Sequence, residues 1–125
     1  MNVPDELKYA TSHEWARLEG DIVTVGITDH AQAELTDIVY LELPEVGKVV
    51  EAGEEVAVIE SVKSASDIYA PVAGEVVEVN EATGEDPAKV NTDPFGEGWM
   101  FKIKVSGDDA LDHLMDVASY CAHIG

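Results

Sequence analysis

Lys63 is the residue whose type and surroundings point most directly to chemistry. It lies within residues 58–71 (VIESVKSASDIYAP), between Val62 and Ser64, in a chain with only 7 Lys and Arg residues. The amine of an exposed lysine has a pKa of about 10.4, so a modifying enzyme must remove its proton before it reacts. The small neighbouring side chains leave the amine open to such an enzyme. The segment therefore predicts a lysine that carries a covalently attached group. The alternative is an ordinary surface lysine.

Common catalytic and metal-binding motifs are absent from the sequence. Gly47-Lys48 is followed by Val49, and position 42 is not glycine, which excludes a Walker phosphate loop. His13-Glu14 lacks the second histidine of a zinc-protease motif, and no serine stands in a nucleophile-elbow context. The 4 histidines show no recognised metal spacing, and the single cysteine excludes a multi-cysteine site. We therefore expect neither catalytic residues nor a bound metal.

Short apolar runs rich in β-branched residues dominate the chain and predict strands. The predicted strands are residues 22–27, 38–43, 55–59, 75–79 and 101–105. Two other segments predict helices: a short one near residues 29–35, capped by Thr28 or Asp29, and a longer one near residues 108–122. Because many short strands alternate with turns, we expect a mainly β sandwich or barrel.

The helix predicted near residues 108–122 is amphipathic, so one face should pack on a sheet. Its apolar face contains Leu111, Leu114, Met115, Ala118 and Cys121. We expect Cys121 to be a buried packing residue rather than a reactive thiol.

An eight-residue sequence occurs twice. Residues 47–54 (GKVVEAGE) reappear as residues 74–81 (GEVVEVNE), with five of the eight positions identical. Two copies are too few for a solenoid, and the length suits one domain over residues 1–125. The repeat predicts two similar halves joined by a hairpin over about residues 58–71, with Lys63 near its tip.

The charge composition restricts the partners. The chain has 26 Asp and Glu against 7 Lys and Arg, a net charge of −19, which repels nucleic acids and anionic membranes. No apolar run approaches the roughly 18 residues of a membrane span, and the first residues lack targeting features. We expect a cytoplasmic monomer. The surplus carboxylates also predict a high-salt cytoplasm, since salt screens their repulsion; an ordinary acidic surface is the alternative.

Residues 60–76 (ESVKSASDIYAPVAGEV) form the most distinctive segment, and further motifs follow a recognisable order. These motifs are residues 7–9, 12–15, 25–32, 37–40, 43–47 and 91–99. Together they resemble the H protein of the glycine cleavage system, with residues 60–76 as its lipoyl-attachment hairpin. Two positions depart from the family: Thr36 stands where Gly is usual, and Glu34 where some members have His. The first suggests an altered turn, and the second affects a contact to the bound arm.

The resemblance implies a barrel-sandwich hybrid of two antiparallel sheets with a C-terminal helix. It implies lipoate in amide linkage to Lys63, on a carrier that is not an enzyme. The implied cleft for the loaded arm contains Ser12, Glu14 and Asp67. The residues implied in recognition by a lipoate ligase or lipoyltransferase are Glu60, Ser61, Val62 and Ser64.

The resemblance also implies three partner enzymes. A pyridoxal-phosphate glycine decarboxylase loads an aminomethyl group, and a tetrahydrofolate-dependent aminomethyltransferase removes it. A flavin (FAD) dihydrolipoyl dehydrogenase then reoxidises the carrier. An alternative role is a scaffold that relays lipoate to other enzymes, and another is a purely structural binding module. A biotin carrier matches less well, because its lysine is typically flanked by methionines, whereas Lys63 has Val62 and Ser64. A lipoyl domain of a 2-oxoacid dehydrogenase typically has Asp before the lysine.

Overall fold

The computed structural model describes residues 3–107 and 109–125, which form nine strands and four short helices. Within these residues, no helix is long and apolar enough to cross a membrane. In chain order the elements are β1 (Lys8–Tyr9), β2 (Glu14–Glu19), β3 (Ile22–Ile27), α1 (Asp29–Leu35), β4 (Ile38–Glu42), β5 (Val49–Val50), β6 (Glu55–Ser61), β7 (Ala65–Tyr69), β8 (Gly74–Val79), α2 (Glu81–Glu85), α3 (Ala88–Thr92), β9 (Phe101–Lys104) and α4 (Val117–Ile124).

The strands form two antiparallel sheets. The six-stranded sheet has the order β1-β2-β3-β9-β8-β5, and the three-stranded sheet has the order β4-β6-β7. One apolar core joins both sheets and is built largely from the β-branched residues Val and Ile, with Val25, Ile59 and the aromatic Phe101 fully buried. Burial of this apolar surface is what holds the two sheets together. The predicted mainly β architecture of two antiparallel sheets is therefore confirmed.

The five predicted strands correspond to β3, β4, β6, β8 and β9, with ends that differ by at most two residues. The short helix predicted over residues 29–35 is confirmed, and the Thr28 hydroxyl caps it by accepting from the Ala31 N–H at 3.2 Å. Strand β2 was not predicted because charged residues interrupt its apolar pattern. It forms because the Gly20 turn, with φ 65°, folds it onto β3 along its whole length.

The C-terminal helix is present but begins later than predicted. It spans Val117–Ile124 instead of residues 108–122, and the Asp116 carboxylate caps it by accepting from the Ser119 N–H at 2.8 Å. Residue 108 lies outside the described residues, and residues 109–114 form turns. Met115 and Tyr9 exchange two backbone hydrogen bonds of 2.8 Å, an antiparallel bridge. A residue paired in this way is extended, so no helix can run through Met115.

The later start of α4 changes which of its residues face inward. Tyr120 is the one buried residue of α4, with Val117 and Ile124 packed beside it at helical spacing. Cys121, which we expected to be a buried packing residue, is exposed. That expectation was wrong because the buried face of α4 is centred on Tyr120, whereas the predicted face included Ala118 and Cys121.

The two copies of the repeated sequence lie side by side. Val49 and Val50 of the first copy pair with Glu75 and Gly74 of the second in an antiparallel register. The chain between the copies forms the β6–β7 hairpin, in which Glu60 pairs with Ala65. The tip of this hairpin is therefore residues 62–64.

Most basic side chains are already engaged with carboxylates on the surface. The ion pairs, with N–O distances of 3.3–4.0 Å, are Arg17–Glu19, Lys48–Glu54, Lys89–Glu97, Lys102–Glu78 and Lys104–Asp21. Each is at the surface, where such a pair contributes about 0–1 kcal/mol. Since acidic residues outnumber basic ones 26 to 7, most carboxylates have no cation to offset their repulsion.

We expect the protein without its attached group to have a higher melting temperature in molar KCl than in dilute buffer at pH 7. The reason is that salt screens carboxylate repulsion in the folded state. Circular dichroism melts over a KCl series measure this. The matched control is the same series near pH 4, where about half of the carboxylates are protonated and the salt effect should shrink. A flat or falling melting temperature at pH 7 would contradict the high-salt interpretation.

Candidate functional site

Lys63 lies at the exposed tip of the β6–β7 hairpin, and the Ser61 hydroxyl fixes the turn. The Ser61 oxygen accepts from the N–H groups of Lys63 and Ser64 at 3.2 and 3.0 Å, and the hydroxyl donates to the Ser64 carbonyl at 3.1 Å. A backbone bond from the Ser61 N–H to the Ser64 carbonyl, at 2.8 Å, closes the turn. The Ser61 hydroxyl thus supplies the hydrogen-bond acceptor that the Lys63 and Ser64 N–H groups do not find on the backbone of this sharp turn.

The lysine amine lies against the C-terminal end of α1. Its Nζ donates to the Glu34 carbonyl at 3.4 Å, a long contact that an approaching enzyme can displace. The carbonyls at a helix C-terminus bear partial negative charge, which favours a cation there. The hairpin tip is therefore held near α1 while the amine remains open to solvent.

A pocket of about 210 Å³ lies between α1, β7 and the residues that precede β2. We call it the hairpin pocket. It is lined by Ser12, His13, Ile27, His30, Ala31, Glu34, Leu35, Ser66, Asp67 and Ile68. Because Glu34 both lines this pocket and contacts the Lys63 amine, a long group attached to Lys63 can reach the pocket directly.

The three expected cleft residues take different places. Ser12 and the exposed Asp67 line the hairpin pocket, but Glu14 does not. Glu14 is 1% exposed and lies behind Ser12, whose hydroxyl donates to one carboxylate oxygen. The other oxygen accepts from the Tyr69 N–H at 3.2 Å. Burial raises the pKa of Glu14 to about 7, although these hydrogen bonds oppose the shift.

Three histidines that the sequence left unassigned gather beside this pocket. The His13 ring lies 4.9 Å from that of His30 and 5.6 Å from that of His123. Burial, followed by the two neighbouring imidazoles, lowers the pKa of His13. His30 Nε2 lies 3.2 Å from the Glu34 carboxylate. The sequence did not predict this cluster, because the three histidines are far apart along the chain. Among the described residues, no group of His, Cys, Asp or Glu is arranged to hold a metal.

The expected recognition residues surround Lys63 at the tip. Glu60 and Ser64 are exposed, Ser61 is half-buried in the turn, and Val62 is 68% exposed. Val39 on the neighbouring strand β4 is also exposed, and the Val62 N–H donates to the Asp37 carbonyl at 3.1 Å. The sequence did not indicate this additional exposed apolar side chain, because four consecutive apolar residues begin β4 (IVYL) and their pattern does not show which of them face solvent.

Thr36, which the resemblance placed at a position expected to be Gly, forms the C-cap of α1 at φ 65°. This left-handed region is unfavourable for a β-branched residue and is the reason that Gly suits the position. The Thr36 N–H donates to the Gln32 carbonyl at 2.9 Å, and its own carbonyl accepts from Asn91 Nδ2 at 2.8 Å. These contacts hold the threonine in the turn.

Comparison with known proteins gives consistent matches over nearly the whole chain. The sequence model described as glycine cleavage H-protein matches residues 7–124. The glycine cleavage system H protein of Psychrobacter sp. (strain PRwf-1) is 60% identical over 124 residues, which cover 98% of each chain. A Thermus thermophilus glycine cleavage system H protein is 60% identical over 120 residues, 96% of this chain and 94% of the relative. The crystal structure of a glycine cleavage system H protein from Mycobacterium marinum is similar, with a TM-score of 0.91 and 40% identity, over 98% of this chain and 99% of that one.

We expect Thr36→Gly to increase the free energy of unfolding by about 1 kcal/mol, because it relieves the left-handed backbone strain. Thr36→Ala is the matched control, since it removes the β-branch but keeps a Cβ and should recover little. Urea unfolding at equilibrium measures both. A Thr36→Gly variant no more stable than Thr36→Ala would contradict strain at this position.

Glu14→Gln should reveal the raised pKa of Glu14 through its pH dependence. A carboxyl with a higher pKa in the folded state binds more protons there, so it lowers stability as the pH rises from about 4.5 to about 7. Gln cannot ionise. The stability of the variant relative to the original protein should therefore rise by about 3 kcal/mol across this range. Urea unfolding at each pH measures it, with the exposed Asp112→Asn as control. A difference that does not vary with pH would be inconsistent with a raised pKa.

Proposed function

Because this chain belongs to the glycine cleavage H-protein family, we propose that its carrier group is lipoate joined by an amide bond to Lys63. Proteins of this family carry lipoate, and the chain is a carrier component of the glycine cleavage system, not an enzyme. The observation that carries the proposal is the position of Lys63, at an exposed hairpin tip beside a pocket of about 210 Å³.

The other lysines are less suited to modification. Lys48, Lys89, Lys102 and Lys104 form ion pairs with carboxylates. Lys8 lies on β1, half-buried within the six-stranded sheet. Lys63 has only the long contact to a helix carbonyl, so a modifying enzyme meets little resistance when it withdraws the amine.

The hairpin pocket fits a long hydrocarbon arm that ends in a polar group. Ile27, Ala31, Leu35 and Ile68 supply apolar contacts along its walls. When bound, lipoate supplies the dithiol that takes up the aminomethyl cargo. The amine of that cargo is cationic and loses water on entering the pocket, so it needs an anionic partner there.

Asp67 and Ser12 are the groups that can receive this cation directly, because both line the pocket. Glu14 acts through the Ser12 hydroxyl, which bridges it to the pocket. With its pKa raised to about 7, Glu14 is partly protonated at neutral pH. A cation close by favours the charged carboxylate. We therefore assign Glu14 the role of releasing its proton to solvent water when the loaded arm enters. The pocket then excludes water from the cargo.

We propose four partners by their chemistry: three other components of the glycine cleavage system and one modifying enzyme. A pyridoxal-phosphate glycine decarboxylase loads the arm, a tetrahydrofolate-dependent aminomethyltransferase unloads it, and an FAD-containing dihydrolipoyl dehydrogenase reoxidises it. A lipoate ligase or lipoyltransferase recognises the tip through Glu60, Ser61, Val62 and Ser64. We also propose the cytoplasm as the compartment, since the chain, with one cysteine, cannot form the internal disulfides typical of small secreted domains.

Lys63→Arg should abolish lipoylation while the fold survives, because Arg keeps the charge at the tip but offers no amine for an amide bond. Intact mass spectrometry after co-expression with a lipoate ligase measures the adduct. Lys48→Arg is the matched control and should be lipoylated normally. An adduct on Lys63→Arg, or lipoate mapped to another lysine, would refute the assignment.

Asp67→Asn should shorten the lifetime of the loaded arm without preventing lipoylation, because the cargo amine loses its anionic partner in the pocket. Formaldehyde release from purified loaded carrier, with aminomethyltransferase absent, measures the rate. We expect an increase of about tenfold, the loss of one charge-assisted hydrogen bond. Asp112→Asn, outside the pocket, should match the original protein. Equal rates for the two variants would exclude Asp67 as the amine partner.

A further inference from the structure

Tyr120 is the one residue of α4 that is fully buried, and its hydroxyl is buried with it. Its ring stacks on that of Tyr9, with centroids 4.6 Å apart and planes inclined by 14°. Packing of the ring alone would be satisfied by phenylalanine. A buried hydroxyl is favourable only when it has hydrogen-bond partners, so the partners of this one indicate what it does.

The Tyr120 hydroxyl lies 2.7 Å from Thr28 Oγ1 and 2.9 Å from His13 Nδ1. Thr28 Oγ1 also accepts from the Ala31 N–H. Burial and the neighbouring imidazoles lower the pKa of His13, which favours a neutral ring whose Nδ1 can accept. The arrangement that satisfies all three groups is a directed chain: the Thr28 hydroxyl donates to Tyr120, and the Tyr120 hydroxyl donates to His13.

The two partners lead to two segments that line the hairpin pocket, helix α1 and the residues that precede β2. Thr28 caps α1, the helix that supplies His30, Ala31, Glu34 and Leu35 to one wall. His13 lines the pocket beside this helix, with its ring 4.9 Å from that of His30.

The backbone of His13 needs support. Its φ is 78°, in the left-handed region that a residue other than glycine adopts only when its surroundings hold it there. Backbone bonds of 3.0 Å, from the His13 N–H to the Ala10 carbonyl and from the Thr28 N–H to the His13 carbonyl, fix the main chain there. The Tyr120 hydroxyl adds the side-chain contact that orients the His13 ring.

We propose that Tyr120 is a positioning residue for the loaded arm, whose hydroxyl holds the His13 ring beside the α1 cap, in the orientation in which that ring lines the hairpin pocket around the cargo. This inference rests on the proposed function, because it concerns the pocket assigned to the arm. Tyr120 does not line the hairpin pocket; it acts through His13 and Thr28.

Tyr120→Phe removes only the hydroxyl and keeps the stacked ring. Tyr9→Phe is the matched control, since Tyr9 is equally buried but its hydroxyl donates to the Pro4 carbonyl at 2.6 Å, away from the pocket. We expect formaldehyde release from the loaded carrier to be about fivefold faster in Tyr120→Phe, the effect of one lost hydrogen bond. Tyr9→Phe should release formaldehyde at the rate of the original protein. This difference should remain even if the two variants lose a similar amount of unfolding free energy.

Two further measurements separate positioning from stability and from the proposed function. Imidazole ¹⁵N NMR of the protein without lipoate should show the His13 Nδ1 resonance displaced in Tyr120→Phe and unchanged in Tyr9→Phe. Intact mass spectrometry should show full lipoylation of both variants. If both variants lack the adduct while Lys63 of the original protein also lacks it, the proposed function fails and the inference with it. If lipoylation is complete and Tyr120→Phe loses its cargo no faster than Tyr9→Phe, the positioning role alone is overturned.

Discussion

The buried carboxyl of Glu14 is the polar contact on which the arrangement of the site depends. Glu14 belongs to β2 of the six-stranded sheet, and its oxygen accepts from the Tyr69 N–H at the end of β7 in the three-stranded sheet. Apolar packing between sheets is non-directional, whereas this bond fixes one register. The Ser12 hydroxyl binds the same carboxyl and reaches the hairpin pocket. The Glu14 side chain therefore links the two sheets to each other and, through Ser12, to the hairpin pocket.

The site around Lys63 is formed by two elements whose positions the fold fixes, the β6–β7 hairpin and helix α1. The β6–β7 hairpin is set by its pairing in the three-stranded sheet, and its tip is closed by Ser61. Helix α1 is capped at both ends, by Thr28 and Thr36. Lys63 at the tip and Glu34 at the end of α1 thus keep a fixed relation, although both are exposed. A carrier benefits from this combination, since its arm must be accessible to several enzymes and return to one pocket.

Local features of the sequence predicted five of the nine strands described, α1 and the hairpin, because alternation, capping and turn residues act over a few neighbouring positions. The tip position of Lys63 followed from the repeat, whose copies pair at Val49 and Glu75. The C-terminal helix was misplaced because the bridge between Met115 and Tyr9 joins distant segments, and no spacing along the chain records it. The burial of Tyr120 and the proximity of His13 to His123 could not be predicted for the same reason, since both depend on contacts between distant segments of the chain.

The central claim is that the arm on Lys63 returns to the hairpin pocket when it carries its cargo. Loading the carrier from ¹³C-labelled glycine places a label on the cargo methylene, and NMR then records its contacts with the protein. The account predicts nuclear Overhauser effects from that methylene to the methyl groups of Ile27, Ala31 and Ile68, which line the pocket. A sharp methylene signal at a free-solution shift, with no such contacts, would contradict it.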